Sequence, residues 1–309
     1  MHELGTSKRP DWSLAVVIGA GGLGTAVARR LGQHHRLLIA DLDKDRADRV
    51  AHTLRDEGGD AEPVQCDITR PESVQELAEE VGRRGGFAAL AHVAGLSPSA
   101  ADFESIVRVN LTGAALVTRA LLPLAEPGAA AILISSLAAH TVTPSAAAET
   151  VLRDPHDAGT ATRLKEVLDE EERTSAMAYH LSKYGLLSLC RREAKAWGER
   201  GARIVSLSPG LIATPMGAFE FEHSPVKRDL YARTPLAREG TMIEIAGVVA
   251  FLASDQASFI SGTDLLVDGG LAGTLRGDQA HGGPRGESGP PSGNQASACG
   301  LATIAFREP

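Results

Sequence analysis

The chain has 309 residues, of which 43% are hydrophobic and 23% charged, with a net charge of −8 at pH 7. These values are typical of a globular protein with an apolar core, and the acidic balance argues against a nucleic-acid-binding surface, which needs clustered Lys and Arg. Because no run of 18 apolar residues and no apolar N-terminal stretch occur, we expect neither a membrane-spanning helix nor a signal peptide.

Residues that could ligate a metal are scattered along the chain. The three cysteines, Cys66, Cys190 and Cys299, stand far apart with no CxxC pair, which favours neither a disulfide framework nor a zinc site. The histidines share no ligand spacing on one face, although His140 and His180 could lie near the site to which Tyr179 belongs. We expect no metal and a reducing, cytoplasmic environment.

Short apolar runs alternate with longer segments of helical spacing from residue 14 to about residue 270. This β-α-β alternation is typical of a parallel sheet covered by helices, and runs rich in Val, Ile and Leu indicate strands buried on both sides. We therefore predict an α/β fold with a doubly wound parallel sheet of about seven strands and helices on both faces. The seven runs are "LAVVI" 14–18, "RLLIA" 36–40, "EPVQC" 62–66, "ALAHV" 89–93, "AAILIS" 130–135, "ARIVSL" 202–207 and "DLLV" 264–267.

The predicted domain covers residues 14–275, after an N-terminal extension of residues 1–13. Residues 276–309 are rich in Gly, Pro and Ser and are predicted to be disordered, because they cannot bury enough apolar surface. Residues 141–175 interrupt the alternation as an insertion. Within it, "TATRLKEVLDEEER" predicts one helix with a narrow apolar stripe, and the four acids 169–172 would crowd its C-terminal end.

A glycine-rich loop follows the first strand and opens the first helix. Gly19, Gly21 and Gly24 spell GxGxxG, in which glycines let the backbone approach a pyrophosphate at the helix N-terminus. Such a turn can also be purely structural. The strand–turn–helix context favours dinucleotide binding, through Gly19, Gly21, Gly22, Leu23 and Gly24.

An acid stands at the end of the second strand, where a dinucleotide ribose is expected. Asp41 lies 22 residues after Gly19 and could accept hydrogen bonds from the ribose hydroxyls, with Leu42 beside it. Its charge would repel the 2′-phosphate of NADP by roughly 1–4 kcal/mol per unit charge. Arg36 lies at the far end of the strand and Lys44 three residues on, so NAD is favoured over NADP. The alternative for Asp41 is a solvated helix cap.

The stretch "SAMAYHLSK", residues 175–183, places Tyr179 and Lys183 on one helix face. By itself this spacing fits an ordinary amphipathic turn equally well. The alternative is a phenol beside an ammonium group, an arrangement that lowers the pKa of a tyrosine and suits it to proton transfer.

Eight short motifs in order make the sequence similar to the short-chain dehydrogenase/reductase family over residues 14–271. Besides the glycine loop they are "CDIT" 66–69, "VAG" 93–95, "VNLTGA" 109–114, "ISS" 134–136, "YHLSK" 179–183, "SPGLIATPM" 208–216 and "DGG" 268–270. The resemblance implies a single Rossmann-like domain. It also implies a catalytic tetrad of Asn110, Ser136, Tyr179 and Lys183.

The same resemblance extends the expected cofactor contacts. Asp67 and Ile68 would flank the adenine, and Ala94 and Gly95 would pass beneath the cofactor. Lys183 would bind the nicotinamide ribose beside Tyr179. The nicotinamide end would be held by Pro209, Gly210, Ile212 and Thr214.

The sequence departs from the family pattern in three places. Ile18 replaces a Thr before a loop that is one residue shorter, and Val93 replaces an Asn. Ser136 and Tyr179 are 43 residues apart, where a dozen or so are usual. A similar insertion occurs in the bacterial 3α-hydroxysteroid dehydrogenase/carbonyl reductase group, which we take as the nearest relative.

These observations predict an enzyme that transfers a hydride between NAD(H) and a secondary alcohol or ketone, with a largely apolar, steroid-like or other carbonyl substrate. One alternative is a regulator that senses NADH without turnover, and another is an extended-type epimerase or dehydratase, which needs a larger C-terminal domain. We expect no nucleic-acid or membrane partner. In the family assembly the helices of Asn110 and Tyr179 pair between subunits, so the insertion predicts a homodimer rather than a tetramer, and a contribution to the substrate-pocket wall.

Overall fold

Parallel strands dominate the computed structural model, which describes residues 12–214 and 225–280. Within these residues the strands are β1 Leu14–Ile18, β2 Arg36–Asp41, β3 Ala61–Gln65, β4 Phe87–His92, β5 Ala125–Ile134, β6 Arg203–Pro209, β7 Ile212–Ala213, β8 Gly240–Thr241 and β9 Asp264–Val267. Seven of them form one sheet in the order β3-β2-β1-β4-β5-β6-β9, and all pairs are parallel. The predicted fold class and strand number are confirmed. The small parallel pair β7–β8 was not predicted.

Helices cover both faces of this sheet. Within the described residues they are α1 Gly22–Leu31, α2 Lys44–Asp56, α3 Pro71–Arg83, α4 Phe103–Val107, α5 Ala114–Leu121, α6 Ala146–Leu152, α7 Thr160–Val167, α8 Ser175–Glu199, α9 Pro225–Ala232, α10 Met242–Ala253 and α11 Leu271–Ala280. A π-helical stretch, Arg108–Gly113, joins α4 to α5.

Alternate residues of the central strands belong to different cores. Val16 packs into a core with side chains of α3, α5 and α8, whereas Val17 packs into a core with α1, α2 and α10. Both valines are fully buried. Because each face of the sheet is covered, the strands need apolar side chains at every position, which is why their sequences lack a polar alternation.

The insertion forms two short helices, α6 and α7. The helix predicted over residues 160–173 is present but ends at Val167, and α6 was not predicted. The prediction that four acids crowd a helix C-terminus is wrong. Helix α7 ends at Val167, and Asp169 caps a separate 3₁₀ turn, Glu170–Glu172, with reciprocal side-chain and backbone hydrogen bonds. Acidic side chains are favourable at such an N-terminus, because the backbone N–H groups there are unpaired. Of the predicted stripe, Leu164 and Leu168 are buried but Val167 is exposed.

Helix α11 continues to Ala280, beyond residue 275 where the domain was predicted to end. Most of the N-terminal extension (residues 1–11) and of the predicted tail (residues 281–309) lies outside the described residues. One continuous helical stretch, Phe103–Leu124, is long and apolar enough to cross a membrane by length and composition, but 61% of its apolar window is buried inside the domain.

Candidate active site

The glycine loop connects β1 to α1 at the carboxyl edge of the sheet. Gly19 has a φ of 100°, and a Cβ atom there would lie 2.7 Å from the backbone nitrogen of Ala94. A Cβ on Gly24 would lie 1.8 Å from the carbonyl oxygen of Gly19. These two glycines are therefore required by packing within the protein itself.

Gly21 is different, because a Cβ atom there would meet nothing within 4 Å. It is the N-cap residue of α1, is exposed, and has no acidic residue in the following first turn. The unpaired N–H groups of Gly22, Leu23 and Gly24 lie at this helix start. An open surface at a helix N-terminus fits the pyrophosphate of a dinucleotide.

Asp41 ends β2 directly beside this loop and is only 8% exposed. Its Oδ2 accepts a hydrogen bond from the Ala20 backbone at 2.6 Å, and its Oδ1 accepts one from the Asp43 backbone at 2.9 Å. Arg46 also approaches, with Nη1 3.6 Å from Oδ1. The sequence indicated Arg36 and Lys44 as the cations nearest Asp41, but not Arg46. Asp41 thus also anchors the glycine loop, which the spacing alone did not indicate.

The predicted adenine contacts lie just after β3. Asp67 is half-buried, and its Oδ1 accepts hydrogen bonds from the backbone and the hydroxyl of Thr69, at 2.9 and 2.7 Å. Ile68 is 7% exposed and packs into the core. Leu42, in contrast, is 64% exposed at the end of β2.

Asn110 lies within the π-helical stretch and is 1% exposed. Its Oδ1 accepts from the Leu96 backbone N–H at 2.7 Å, and its Nδ2 donates to the Leu96 carbonyl at 3.0 Å. A Cβ atom on Gly95 would lie 3.3 Å from Asn110 Oδ1 and 3.4 Å from Lys183 Nζ. The widened π turn therefore brings Asn110 against the segment Ala94–Leu96 and close to Lys183.

Ser136 follows β5 and caps a 3₁₀ turn, Leu137–His140. Its Oγ accepts a hydrogen bond from the Ala138 backbone at 3.2 Å. The hydroxyl hydrogen of Ser136 remains available to a substrate oxygen.

Tyr179 and Lys183 lie one turn apart near the start of α8. The Lys183 Nζ is 5.7 Å from the centre of the Tyr179 ring and donates a hydrogen bond to the Ile134 carbonyl at 2.8 Å. Burial lowers the pKa of Lys183 to about 8. The Ser135 hydroxyl donates to the Lys183 carbonyl at 2.9 Å, which ties α8 to the end of β5 and so to Ser136.

His92, at the end of β4, is a buried group that no motif in the sequence indicated as part of this site. It is 2% exposed, and burial, together with the nearby charge of Lys183, lowers its pKa to about 3. Among the described residues, no partner is present for its Nε2 atom. A neutral imidazole is therefore part of the surroundings of Lys183.

The predicted nicotinamide end follows β6. A Cβ atom on Gly210 would lie 2.6 Å from the Cα of Asp268, so this glycine is required for close backbone packing. Ile212 begins the small strand β7, and Thr214 is the last described residue before the gap. A cavity of about 90 Å³ beside this segment is lined by residues such as Leu211, Ile212 and Ile245. Ser136 and Tyr179 do not line it, and we assign no substrate to it.

The structure thus places the predicted catalytic residues and the glycine loop along one edge of the sheet. Known proteins are similar to this chain in amino-acid sequence over most of its length. A family model described as enoyl-(acyl carrier protein) reductase matches residues 18–154 and 158–272. The short-chain dehydrogenase/reductase bsc3 of Alternaria brassicicola is 34% identical over 273 residues, 86% of this chain and 98% of that protein. D-threitol dehydrogenase of Mycolicibacterium smegmatis is 31% identical over 273 residues, 85% of this chain and 94% of that protein.

Among solved structures, the crystal structure of gox2181 has a TM-score of 0.67 and 28% identity, and the match covers 84% of this chain and 96% of that one. The fold and site therefore define an α/β oxidoreductase of the dinucleotide-binding class. The chain belongs to the short-chain dehydrogenase/reductase family.

Proposed function

We propose that the protein transfers a hydride between NAD(H) and a secondary alcohol or ketone, with Ser136, Tyr179, Lys183 and Asn110 as its catalytic residues. The observation that carries the proposal is the position of Lys183. Its buried ammonium is 5.7 Å from the Tyr179 ring and 2.8 Å from the Ile134 carbonyl, two residues before Ser136. Among the described residues, no carboxylate pairs with Lys183; a buried, unpaired charge is costly, and such a group is typical of a functional site.

In the reducing direction, each residue has a distinct task. The Ser136 hydroxyl donates a hydrogen bond to the carbonyl oxygen of the substrate. Tyr179 donates its phenolic proton to that oxygen as it becomes the alcohol, and the positive charge of Lys183 stabilises the phenolate that remains. Asn110 holds the backbone of Leu96 beside Lys183. The nicotinamide, when bound, supplies the hydride to the carbonyl carbon.

The side chains near Ser136 support a largely apolar substrate. Leu137 belongs to a small apolar cluster with Leu271, and partly buried leucines of several elements pack against it, Leu211, Leu230, Leu266 and Leu275. Partly exposed leucines from separate elements favour ring-containing or aliphatic carbonyl compounds, of which steroids are one class. The segment after Thr214, "PMGAFEFEHSPVKRDLYART", mixes Met, Phe and Tyr with charged residues, which also suits a largely apolar substrate. Residues 215–224 of this segment lie outside the described residues.

Asp41 supports NAD as the preferred cofactor. Its carboxylate is nearly buried at the position where the ribose hydroxyls are expected, and a 2′-phosphate there would be repelled. Arg46 reduces this repulsion, because its guanidinium is 3.6 Å from the same carboxylate and 3.4 Å from Asp43. We therefore propose a preference for NAD with measurable use of NADP.

The activity is tested by a screen of ketones and secondary alcohols with all four nicotinamide cofactors, read by absorbance of the reduced ring. We expect turnover in the unmutated protein, and at least a tenfold loss in Tyr179→Phe with NADH binding nearly unchanged, because only the proton-donating hydroxyl is removed. A regulator that senses NADH would bind the cofactor but turn over none of the substrates. If Tyr179→Phe retains more than a tenth of the wild-type rate, the proposed mechanism is wrong.

We also propose a cytoplasmic homodimer. Helices α6 and α7 of the insertion lie against the chain's own helices: Glu149 accepts from the Tyr184 hydroxyl at 2.9 Å, and Lys165 pairs with Glu104 at 2.7 Å. The insertion therefore occupies a surface on which another subunit would pair. These two contacts involve neither Ser136 nor Tyr179, and the role of the insertion in the pocket wall stays a prediction.

Sedimentation of the native protein tests the assembly, and a tetramer would contradict it. Replacement of residues 145–172 by a short Gly-Ser linker tests the pocket wall, and an unchanged KM would contradict that role. A second variant, Lys165→Gln, removes the contact with Glu104 without deleting the segment and serves as a control for loss of stability.

A further inference from the structure

A buried carboxylate lies behind the candidate active site, at the start of β9. The side chain of Asp264 is 5% exposed. Its Oδ1 accepts hydrogen bonds from the hydroxyls of Ser206 at 2.6 Å and Ser208 at 3.0 Å, and its Oδ2 lies 2.8 Å from Nε2 of His140. A buried carboxylate is stable only when donors satisfy it. These three groups do so, and each is thereby held in place.

The groups bound by Asp264 belong to the two sides of the site. His140 is the last residue of the 3₁₀ turn that Ser136 caps. Ser208 immediately precedes Pro209 and Gly210, the expected support of the nicotinamide. One carboxylate therefore connects the turn that carries the substrate-binding serine to the loop that would carry the hydride donor.

The turn needs such an anchor, because the chain leaves the sheet there. After His140 it passes into the insertion, and helix α6 begins only at Ala146. The Ser136 hydroxyl takes its direction from this turn, since its Oγ accepts from the Ala138 backbone. The His140 side chain is 16% exposed, so its hydrogen bond to Asp264 is largely shielded from water.

We propose that His140 and Asp264 form a positioning pair that fixes the Ser136 hydroxyl relative to the Pro209–Gly210 loop. Neither residue touches the reacting atoms. The proposal rests on the proposed function, in which Ser136 binds the substrate carbonyl. Loss of the pair displaces Ser136, and a displacement of about 1 Å lowers the rate by up to about 100-fold.

The test compares His140→Leu, which removes the hydrogen bond, with His140→Gln, whose amide can still donate to Asp264. We expect kcat with a ketone and NADH to fall about ten- to hundredfold in His140→Leu. In His140→Gln we expect it to recover to within about threefold of wild type, since a neutral hydrogen bond replaces the original one. NADH affinity, from fluorescence titration, should change little in either variant.

A matched control is His52→Leu on α2. His52 Nδ1 lies 2.9 Å from Asp56 Oδ2, a similar contact that is exposed and distant from the site, and its loss should leave kcat unchanged. If His140→Leu keeps wild-type kcat, the pair has no positioning role. If the fall in kcat is accompanied by a similar loss of NADH affinity and by a lower melting temperature, and His140→Gln does not restore kcat, the role is merely structural. That outcome overturns the proposal.

Amide hydrogen exchange gives a readout that does not require turnover. The Ala139 amide donates to the Ser136 carbonyl, and the Gly210 amide donates to the Val267 carbonyl. His140→Leu should speed exchange at both amides, although only the first is local to the substitution. If exchange at Gly210 is unchanged, the pair does not connect the two sides. If the protein turns over no carbonyl compound, the proposed function fails, and the exchange at Gly210 still decides the anchoring.

Discussion

Substitution of Asp41 by Asn removes one negative charge from the expected ribose site and keeps the size of the side chain. The structure makes Asn a better choice than Ala, because Asp41 also holds the glycine loop through the Ala20 backbone at 2.6 Å. An asparagine has one acceptor oxygen in place of two. It can keep the bond to Ala20 and lose the one to Asp43, at a cost of about 1–3 kcal/mol in the free energy of unfolding.

The magnitude of the cofactor effect follows from the charges. A unit charge about 4 Å from the Asp41 carboxylate is repelled by roughly 1–4 kcal/mol, depending on the effective dielectric constant. Arg46, 3.6 Å from the carboxylate and 49% exposed, offsets part of this. The ratio of kcat/KM for NADP to kcat/KM for NAD should therefore rise by about five- to several hundredfold in Asp41→Asn.

Steady-state kinetics with both cofactors measure this ratio, with Asp43→Asn as the matched control. Asp43 is two residues away and also faces Arg46, at 3.4 Å, but it caps α2 through the Arg46 backbone and has no bond to the glycine loop. Asp43→Asn should change the ratio of kcat/KM for NADP to that for NAD less than threefold. An unmutated protein with equal kcat/KM for both cofactors, or an unchanged ratio in Asp41→Asn, would refute the role given to Asp41.

Three further predictions concern the glycine loop, the lysine and the asparagine. Gly21→Ala should weaken NADH binding and leave the melting temperature unchanged. Gly24→Ala should lower both NADH affinity and the melting temperature, because its Cβ would lie 1.8 Å from the Gly19 oxygen. Equal effects of the two variants in fluorescence titrations and thermal melts would contradict this. Burial lowers the pKa of Lys183 from 10.5 to about 8. Below pH 8 the buried charge therefore reduces the free energy of unfolding by about 3 kcal/mol. This penalty decreases above pH 8 and is absent by pH 10.5. Lys183→Met should thus be more stable than wild type to urea at pH 7, by up to that amount, and this difference should vanish by pH 10.5; a pH-independent difference would argue against the lowered pKa. Asn110→Ala should lose about 1–3 kcal/mol of stability together with most of the activity, since both amide bonds to Leu96 disappear; full activity would exclude the catalytic role.

The sequence by itself determined the fold class and the order of the seven strands in the main sheet along the chain. The β-α-β alternation defines a parallel sheet, and the glycine spacing places a tight turn before α1, because these patterns depend on contacts between near neighbours in the chain. Tyr179 and Lys183 share a helix face for the same reason. The strict steric need for Gly24 could likewise be predicted from the motif, since the clash is with Gly19 in the same loop.

Only the tertiary structure decided which distant side chains meet. His140 and Asp264 are 124 residues apart, and no local pattern of either predicts their contact. His92 is placed beside Lys183 because a strand end and a helix face pack together, and Arg46 reaches Asp41 through the orientation of α2. The helix predicted over residues 160–173 was placed too long, because α7 ends at Val167 and Asp169 begins a separate 3₁₀ turn. Such contacts depend on the packing of whole elements, which residue spacing along the chain does not encode.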